Sequence, residues 1–167
     1  SVAKLLSRIV APEMVIADPS CKSNGDIGSE MHDHTFGIAS DPLAQFACVF
    51  AALIHDVDHP GVPNSRLVQE NSPLALQYEG HSVAEQNSVD VAWAILMGSK
   101  YNAFRDAICP TEQELLRFRQ LVVNTVMATD IVDKDLKQLH DNRWDKAFSE
   151  SFQEPARDHM NRKATIV

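Results

Sequence analysis

Residues 53–64, Leu-Ile-His-Asp-Val-Asp-His-Pro-Gly-Val-Pro-Asn, are the most informative stretch of this chain, because four potential metal-binding side chains follow directly on an apolar run. The preceding residues 42–54 are too apolar for a surface helix, so they predict a helix buried in the domain. We expect that helix to continue to His59 and to stop at the Pro-Gly pair that follows. His55 and Asp56 would then lie at the rim of a buried element.

An adjacent imidazole and carboxylate form a suitable donor pair for a divalent cation. His55 and Asp56 would suit zinc, manganese or iron, and a carboxylate can also bridge to a harder ion such as magnesium. Two residues cannot complete a coordination sphere, so further ligands must come from elsewhere. The alternative is structural: the end of a helix favours His55 and His59 through its dipole, and Asp58 starts a turn.

A second His-Asp pair lies in residues 17–40, whose Asp, Ser, Gly and Asn content predicts an exposed loop. Within it, His32, Asp33 and His34 offer a rival metal cluster. Their surroundings are polar and flanked by glycine, so no apolar helix would hold the ligands in a fixed geometry. We therefore favour His55 and Asp56 as the metal site.

Composition limits the classes of partner and compartment. The chain has 167 residues, which suits one domain or a piece of a larger one, and its formal net charge of −8 argues against nucleic acid and anionic membranes as partners. Cys21, Cys48 and Cys109 show no paired spacing, which indicates reduced thiols and a cytoplasmic setting. No window reaches the roughly 18 apolar residues of a membrane span, although a longer parent protein could be membrane-tethered.

The remaining sequence predicts helices with recognisable starts. Ser82-Val-Ala-Glu85 and Thr111-Glu-Gln-Glu114 both match the capping box, in which a Ser or Thr and the Glu three residues later bond each other's backbone. On local chemistry alone, Glu85 would serve as a cap and Asp130 would cap the next helix. Helices are expected at residues 2–10, 42–59, 64–71, 72–79, 82–97 and 101–108. Two more are expected, one from Thr111 to the Ala-Thr-Asp that ends at Asp130, and one beyond it through Leu136 to Phe148.

Several ordered motifs together carry a family resemblance. His55-Asp56-x-x-His59-x-Gly61-x-x-Asn64 is followed by Asn-Ser-Pro-Leu-Ala at 71–75, by Ser-Val-Ala-Glu at 82–85 and by Val-Met-Ala-Thr-Asp at 126–130. This pattern resembles the class I 3′,5′-cyclic nucleotide phosphodiesterases, a branch of the HD metal-dependent phosphohydrolases. The resemblance implies an all-α fold, a compact multi-helix HD-type bundle that is incomplete at both ends. Residues 1–167 would be part of a catalytic domain, with about 17–40 as an insertion.

The resemblance also implies an activity and its cofactors. The 3′ phosphoester bond of cAMP or cGMP would be hydrolysed to the 5′-monophosphate by a hydroxide held between two divalent ions, Zn and Mg (or Mn). His55 and Asp56 would be metal ligands, with Asp56 bridging. Four further residues would surround the pocket, orient bound water and steady the turn: His59, Asn64, Glu85 and Asp130.

Some family features are missing or changed. The Tyr-His-Asn-x-x-His segment that carries the general-acid His and the downstream Ala-Asp ligand segment do not occur in this sequence, so we expect the chain alone to be nearly inactive and to bind metal weakly. Glu-Asn-His-His becomes Glu-Gln-Asn-Ser at 85–88, and Arg66 stands where the family prefers an apolar residue. Two alternatives stay open: another HD-type phosphohydrolase, or a non-catalytic regulatory pseudo-phosphodiesterase module. These residues do not determine the preferred base or the oligomeric state.

Overall fold

The structure is a computed structural model that describes residues 3, 4, 6, 7, 32–148, 162 and 165. The chain divides into two compact units, one of residues 1–49 with 140–167 and one of residues 50–139. The described residues form helices and turns without a strand, which confirms the predicted all-α fold. None of the described helices combines the length and the apolar character needed to cross a bilayer.

Seven α-helices run through residues 42–148, with a single 3₁₀ turn at Ser99–Tyr101. The six helices after residue 60 all overlap a predicted helix, and their bounds differ from the predicted bounds by a few residues. The agreement arises because turn and cap residues mark the helix starts clearly. Their bounds are α1 Pro42–Ile54, α2 Asn64–Gln69, α3 Pro73–Gln77, α4 Val83–Met97, α5 Asn102–Ile108, α6 Glu112–Met127 and α7 Lys134–Phe148.

Helix α1 begins as predicted but ends earlier. The Asp41 carboxylate accepts a hydrogen bond from the Ala44 amide at 3.1 Å, which caps the first turn. The predicted continuation to His59 is wrong, because Asp58 has φ +58° and a residue in the left-handed region cannot continue a right-handed helix. The chain turns instead, with the Val57 amide donating to the Ile54 carbonyl at 2.9 Å.

The burial of α1 is confined to one stripe. Leu53 is 76% exposed, so the expectation of a helix buried all round does not hold at its last turn. The stripe has the spacing of one helix face, and it is formed by small and branched residues: Ala44, Ala47, Ala51 and Ile54.

Helices α4 and α6 form the main packing pair of the 50–139 unit. Phe118 of α6 is 1% exposed, and its ring centroid lies 6.2 Å from that of Trp93 on α4 and 5.5 Å from that of Phe50. The sequence predicts α6 to be central and apolar on most sides, yet Leu116 is 63% exposed. A single stripe of α6, Phe118, Val122 and Val126, therefore provides its buried core.

A smaller apolar cluster joins α2, α3 and the first turn of α4. Its buried members are Leu67, Ala75 and Val83, which touch the partly buried Val62, Leu74 and Tyr78. Helices α2 and α3 end at Gln69 and Gln77, slightly before the predicted ends, because Asn71 and Glu79 take positive φ values. The cluster fixes the start of α2 beside the start of α4, where the candidate site lies.

The other unit contains the described part of the predicted 17–40 loop. Residues 32–34 are helical and 35–40 form turns, whereas 17–31 lie outside the described residues. The Gln45 side-chain amide donates to the carbonyls of Ile38 and Ala39 at 2.8 and 3.1 Å, so this part is a bonded turn rather than an open loop. Of the predicted helix at 2–10, residues 3, 4, 6 and 7 are described and are helical.

Candidate active site

His55 and Asp56 follow the last turn of α1 and face each other. The His55 Nδ1 atom lies 3.1 Å from the Ala52 carbonyl oxygen. A carbonyl only accepts hydrogen bonds, so Nδ1 carries a proton and the lone pair of a neutral ring is on Nε2. That Nε2 atom is 3.1 Å from Asp56 Oδ2. Two acceptor atoms this close repel each other unless a proton or a metal cation lies with them.

The donor pair fits a divalent metal ion. Two ligands bonded at about 2.0–2.2 Å to neighbouring positions of one ion are roughly 3 Å apart, which agrees with the 3.1 Å separation of His55 Nε2 and Asp56 Oδ2. The side chains are 43% and 69% exposed, so an ion can reach them. Within the described part of the chain, no three His, Cys, Asp or Glu side chains converge on one point. An ion at His55 and Asp56 would therefore need further ligands beyond these two.

The rival cluster in the other unit has a different environment. His32 Nδ1 forms a short hydrogen bond with the Ser40 hydroxyl, and the His32 ring packs beside Gly37. Asp33 and His34 are exposed. His32 is thus hydrogen-bonded within the turn before α1, as is typical of a structural histidine.

Asn64 connects three elements of the 50–139 unit. Its Oδ1 atom accepts from the Ala84 amide at 2.9 Å, in the first turn of α4. Its Nδ2 atom donates to Glu85 Oε2 at 2.8 Å and to Asp130 Oδ2 at 3.2 Å. One neutral amide therefore holds two carboxylates that come from different parts of the sequence.

The predicted capping box at the start of α4 is wrong. Ser82 has φ +36° and makes no side-chain cap bond, and its buried hydroxyl has no hydrogen-bond partner among the described residues. Capping residues normally have extended backbone, which aims the side-chain oxygen at the amides of the first turn. In the left-handed conformation the Ser82 hydroxyl does not reach them, and Asn64 takes that role. Glu85 is released from backbone capping and bonds Asn64.

Asp130 uses its two oxygens separately. Oδ2 accepts from Asn64, whereas Oδ1 accepts from the amides of Val132 and Asp133 at 3.1 and 3.2 Å. The first turn of α7 is instead capped by Asp133, whose Oδ1 accepts from the Leu136 amide at 3.0 Å. Of the two predicted roles, the structure gives Asp130 a place beside the pocket and not the cap of α7.

A cavity of about 170 Å³ lies beside Asn64. All four residues predicted to surround a pocket line it, and His59 is fixed there by accepting a hydrogen bond from the Gly61 amide on Nδ1 at 2.9 Å. His55 and Asp56 are not part of this lining. Sequence reasoning missed several wall residues, and their position next to Asn64 or Asp130 is the only sequence signal for them. Among the described residues, the lining is His59, Pro63, Asn64, Ser65, Glu85, Thr129, Asp130, Ile131 and Val132.

Comparison with known proteins identifies the family of the chain. The family model described as 3'5'-cyclic nucleotide phosphodiesterase matches residues 29–166. The chain belongs to this family. The match includes both the His55-Asp56 pair and the Asn64 cavity, so it covers the whole candidate site.

Three relatives of this chain align with it over 89 residues, which is 53% of the chain. It is 40% identical to 3',5'-cyclic-AMP phosphodiesterase 4C of Mus musculus and 39% identical to that of Rattus norvegicus. It is 37% identical to probable 3',5'-cyclic-AMP phosphodiesterase pde-4 of Caenorhabditis elegans. The alignments cover 12%, 16% and 13% of these relatives, so the chain spans a small part of their length.

Proposed function

We propose that this chain is part of a catalytic domain that hydrolyses the 3′ phosphoester bond of a cyclic nucleotide to give the 5′-monophosphate. The observation that carries the proposal is the Asn64 amide, which holds Glu85 and Asp130 at one cavity within the segment that matches the family. The three relatives are named as cyclic-AMP phosphodiesterases, so cAMP is the first substrate to test and cGMP the second.

The proposed cofactors are two divalent ions, Zn and Mg (or Mn). His55 Nε2 and Asp56 Oδ2 would hold one of them, and Asp56 could share its carboxylate with the second. When bound, such ions activate water for attack on phosphorus and neutralise charge on the phosphoryl oxygens. The net charge of the chain is −8, so cations at this site would also reverse the repulsion that an anionic substrate meets.

The protein's own groups have separate tasks in this proposal. The Ala52 carbonyl fixes the tautomer and orientation of the His55 ring, which leaves the Nε2 lone pair to hold an ion. Asn64 fixes Glu85 through Oε2, and the carboxylate keeps acceptor capacity to orient a water molecule in the cavity. The general acid that protonates the leaving 3′-oxygen would be a His that this sequence does not contain, so the chain alone should turn over substrate poorly.

The central test is Asp56→Ala in the intact protein that contains this chain. Removing the carboxylate should reduce cAMP hydrolysis to background and lower the bound zinc together, because Asp56 would supply one ligand of the site. Steady-state hydrolysis and elemental analysis of the same preparation measure both quantities.

Asp33→Ala is the matched control, since Asp33 is an exposed residue of the other His-Asp pair. It should leave hydrolysis and metal content unchanged. If Asp56→Ala also retained both, Asp56 would have no place in the metal site.

A non-catalytic regulatory module is the second candidate. It is favoured by one observation, the Asn87-Ser88 pair that replaces the family His-His. An intact protein that folds and binds cyclic nucleotide without hydrolysing it, even with zinc and magnesium supplied, would support this candidate over the enzyme.

We also propose a cytoplasmic setting. Cys48 and Cys109 are free thiols in the structure, and burial raises the pKa of each, with the charge of Glu114 as a smaller cause at Cys109. A raised pKa keeps the thiol neutral and slow to form disulfides. Such thiols suit a reducing compartment.

A further inference from the structure

Two buried polar side chains of α4 bond the turn that follows the His55-Asp56 pair. Asn87 is 5% exposed and Ser88 is 0% exposed. The Asn87 Nδ2 atom donates to Asp58 Oδ2 at 3.1 Å, and the Ser88 hydroxyl donates to the Val57 carbonyl at 2.7 Å. Neighbouring residues of one helix thus bond neighbouring residues of the turn.

The turn depends on such bonds. Asp58 has φ +58°, a conformation that costs free energy for residues other than glycine, although Asp tolerates it better than most. Turning the Val57–Asp58 peptide out of this conformation would break the bond to Ser88 and move the Asp58 carboxylate away from Asn87. The two hydrogen bonds therefore oppose a change of φ at Asp58, one through the Val57 carbonyl and the other through the Asp58 side chain.

The orientation of the metal ligands rests on this backbone. The Asp56 side chain is 69% exposed and that of His55 is 43% exposed, so side-chain packing contributes little to their positions. The turn is linked to them by backbone hydrogen bonds from the Val57 amide to Ile54 and from the His59 amide to the Asp56 carbonyl. A change at Val57 or Asp58 is thus transmitted directly to Asp56.

We propose that Asn87 and Ser88 are positioning residues of the metal site, which hold the Val57–Asp58 turn so that His55 Nε2 and Asp56 Oδ2 lie together as a ligand pair. We call the Asn87–Asp58 and Ser88–Val57 hydrogen bonds the clamp. Its catalytic consequence rests on the proposed function, whereas its effect on metal binding does not.

The test uses Asn87→Asp in the intact protein. The new carboxylate cannot donate to Asp58 and repels it, so the affinity for zinc should fall roughly 10-fold or more, as for other groups that orient metal ligands. Titration of the apo-protein with zinc by calorimetry measures the affinity. Amide hydrogen exchange of residues 55–59 should accelerate at the same time.

The reciprocal variant Asp58→Asn with Asn87→Asp separates positioning from general damage. The double variant exchanges donor and acceptor, and Asn also tolerates positive φ at position 58. The zinc affinity and the amide exchange rates of residues 55–59 should therefore return to within about 3-fold of those of the unaltered protein, which is small beside the loss expected for the single variant. Ser88→Ala removes only the hydroxyl and should give a smaller loss of the same sign. Gln113→Glu, the same amide-to-carboxylate change at an exposed position of α6, should have no effect.

The outcomes are distinct. Unchanged zinc affinity in Asn87→Asp, or a double variant as impaired as the single one, would overturn the clamp. If the variants alter zinc affinity and exchange as expected but the intact protein hydrolyses no cyclic nucleotide, the clamp stands and the proposed function fails.

Discussion

The starts of α4 and α6 have almost the same sequence signature but different structures. Thr111 and Glu114 form the complete capping box, with the Glu114 amide donating to the Thr111 hydroxyl at 3.2 Å and the Thr111 amide donating to Glu114 Oε2 at 3.1 Å. At α4, Ser82 makes no cap bond and Asn64, 20 residues from Ala84 in sequence, caps the helix instead.

The difference decides whether the Glu side chain at a helix start is available to a pocket. A local box uses its Glu for the backbone, so that side chain cannot also face a pocket. At α4 the cap comes from another helix, and Glu85 becomes available to the cavity. Local strain accompanies this arrangement: Ser82 has a positive φ, and its hydroxyl has no hydrogen-bond partner in the part of the chain that the structure describes.

The largest effect is expected for Asn64→Ala, which should lower the free energy of unfolding by about 2–3 kcal/mol. It removes a helix cap and the shared donor of two carboxylates, each of which stabilises by about 1 kcal/mol or more. Urea unfolding followed by circular dichroism measures the change. Asn124→Ala on α6, which loses an exposed bond from Gln120, should cost less than about 1 kcal/mol. Equal losses in the two variants would show that Asn64 is an ordinary surface amide.

Thr111→Ala should cost about 1 kcal/mol, the usual loss for an N-cap, and leave hydrolysis unchanged in the intact protein. The same unfolding experiment and a cAMP assay check both parts. A loss of activity without a loss of stability would contradict the view that the α6 box is purely structural.

Ser82→Ala should change the free energy of unfolding by less than about 0.5 kcal/mol, because the hydroxyl has no partner to lose among the described residues. Ser82→Gly should be slightly stabilising, since glycine adopts positive φ without strain. If Ser82→Ala instead cost as much as Thr111→Ala, the local capping box would exist in solution after all.

The smallest effect concerns the titration of Cys109, just before α6. Burial first and the charge of Glu114 second raise the pKa of its thiol above the ordinary value of 9.0. The folded state therefore favours the neutral thiol, which adds to the free energy of unfolding. This addition is complete below pH 9.0 and is lost as pH rises through the pKa of Cys109 in the folded protein. Glu114→Gln should lower the Cys109 pKa, seen as a shift of its alkylation rate profile to lower pH. Glu85→Gln, the matching change at α4, should leave that profile in place.

Local signals in the sequence predicted much of the fold. Thr111 caps the helix that follows it as predicted, and Asp41 and Ser72 cap theirs in the same way, because each oxygen reaches an amide only three residues away. The predictions of local structure were wrong at two residues with positive φ, Asp58 after α1 and Ser82 before α4. Backbone conformations of that kind depend on tertiary bonds that no short window contains.

The sequence by itself determined the helical class, most helix starts and the family, because these follow from periodicity, capping chemistry and motif order. It proposed the candidate site residues through the family resemblance. Only the tertiary structure decided how those residues are used. Asn64 meets Glu85 and Asp130 across 21 and 66 residues of sequence, and Asn87 meets Asp58 across 29. Contacts at such separations are set by how helices pack, which is why the shared amide and the clamped turn could not be predicted from the chain alone.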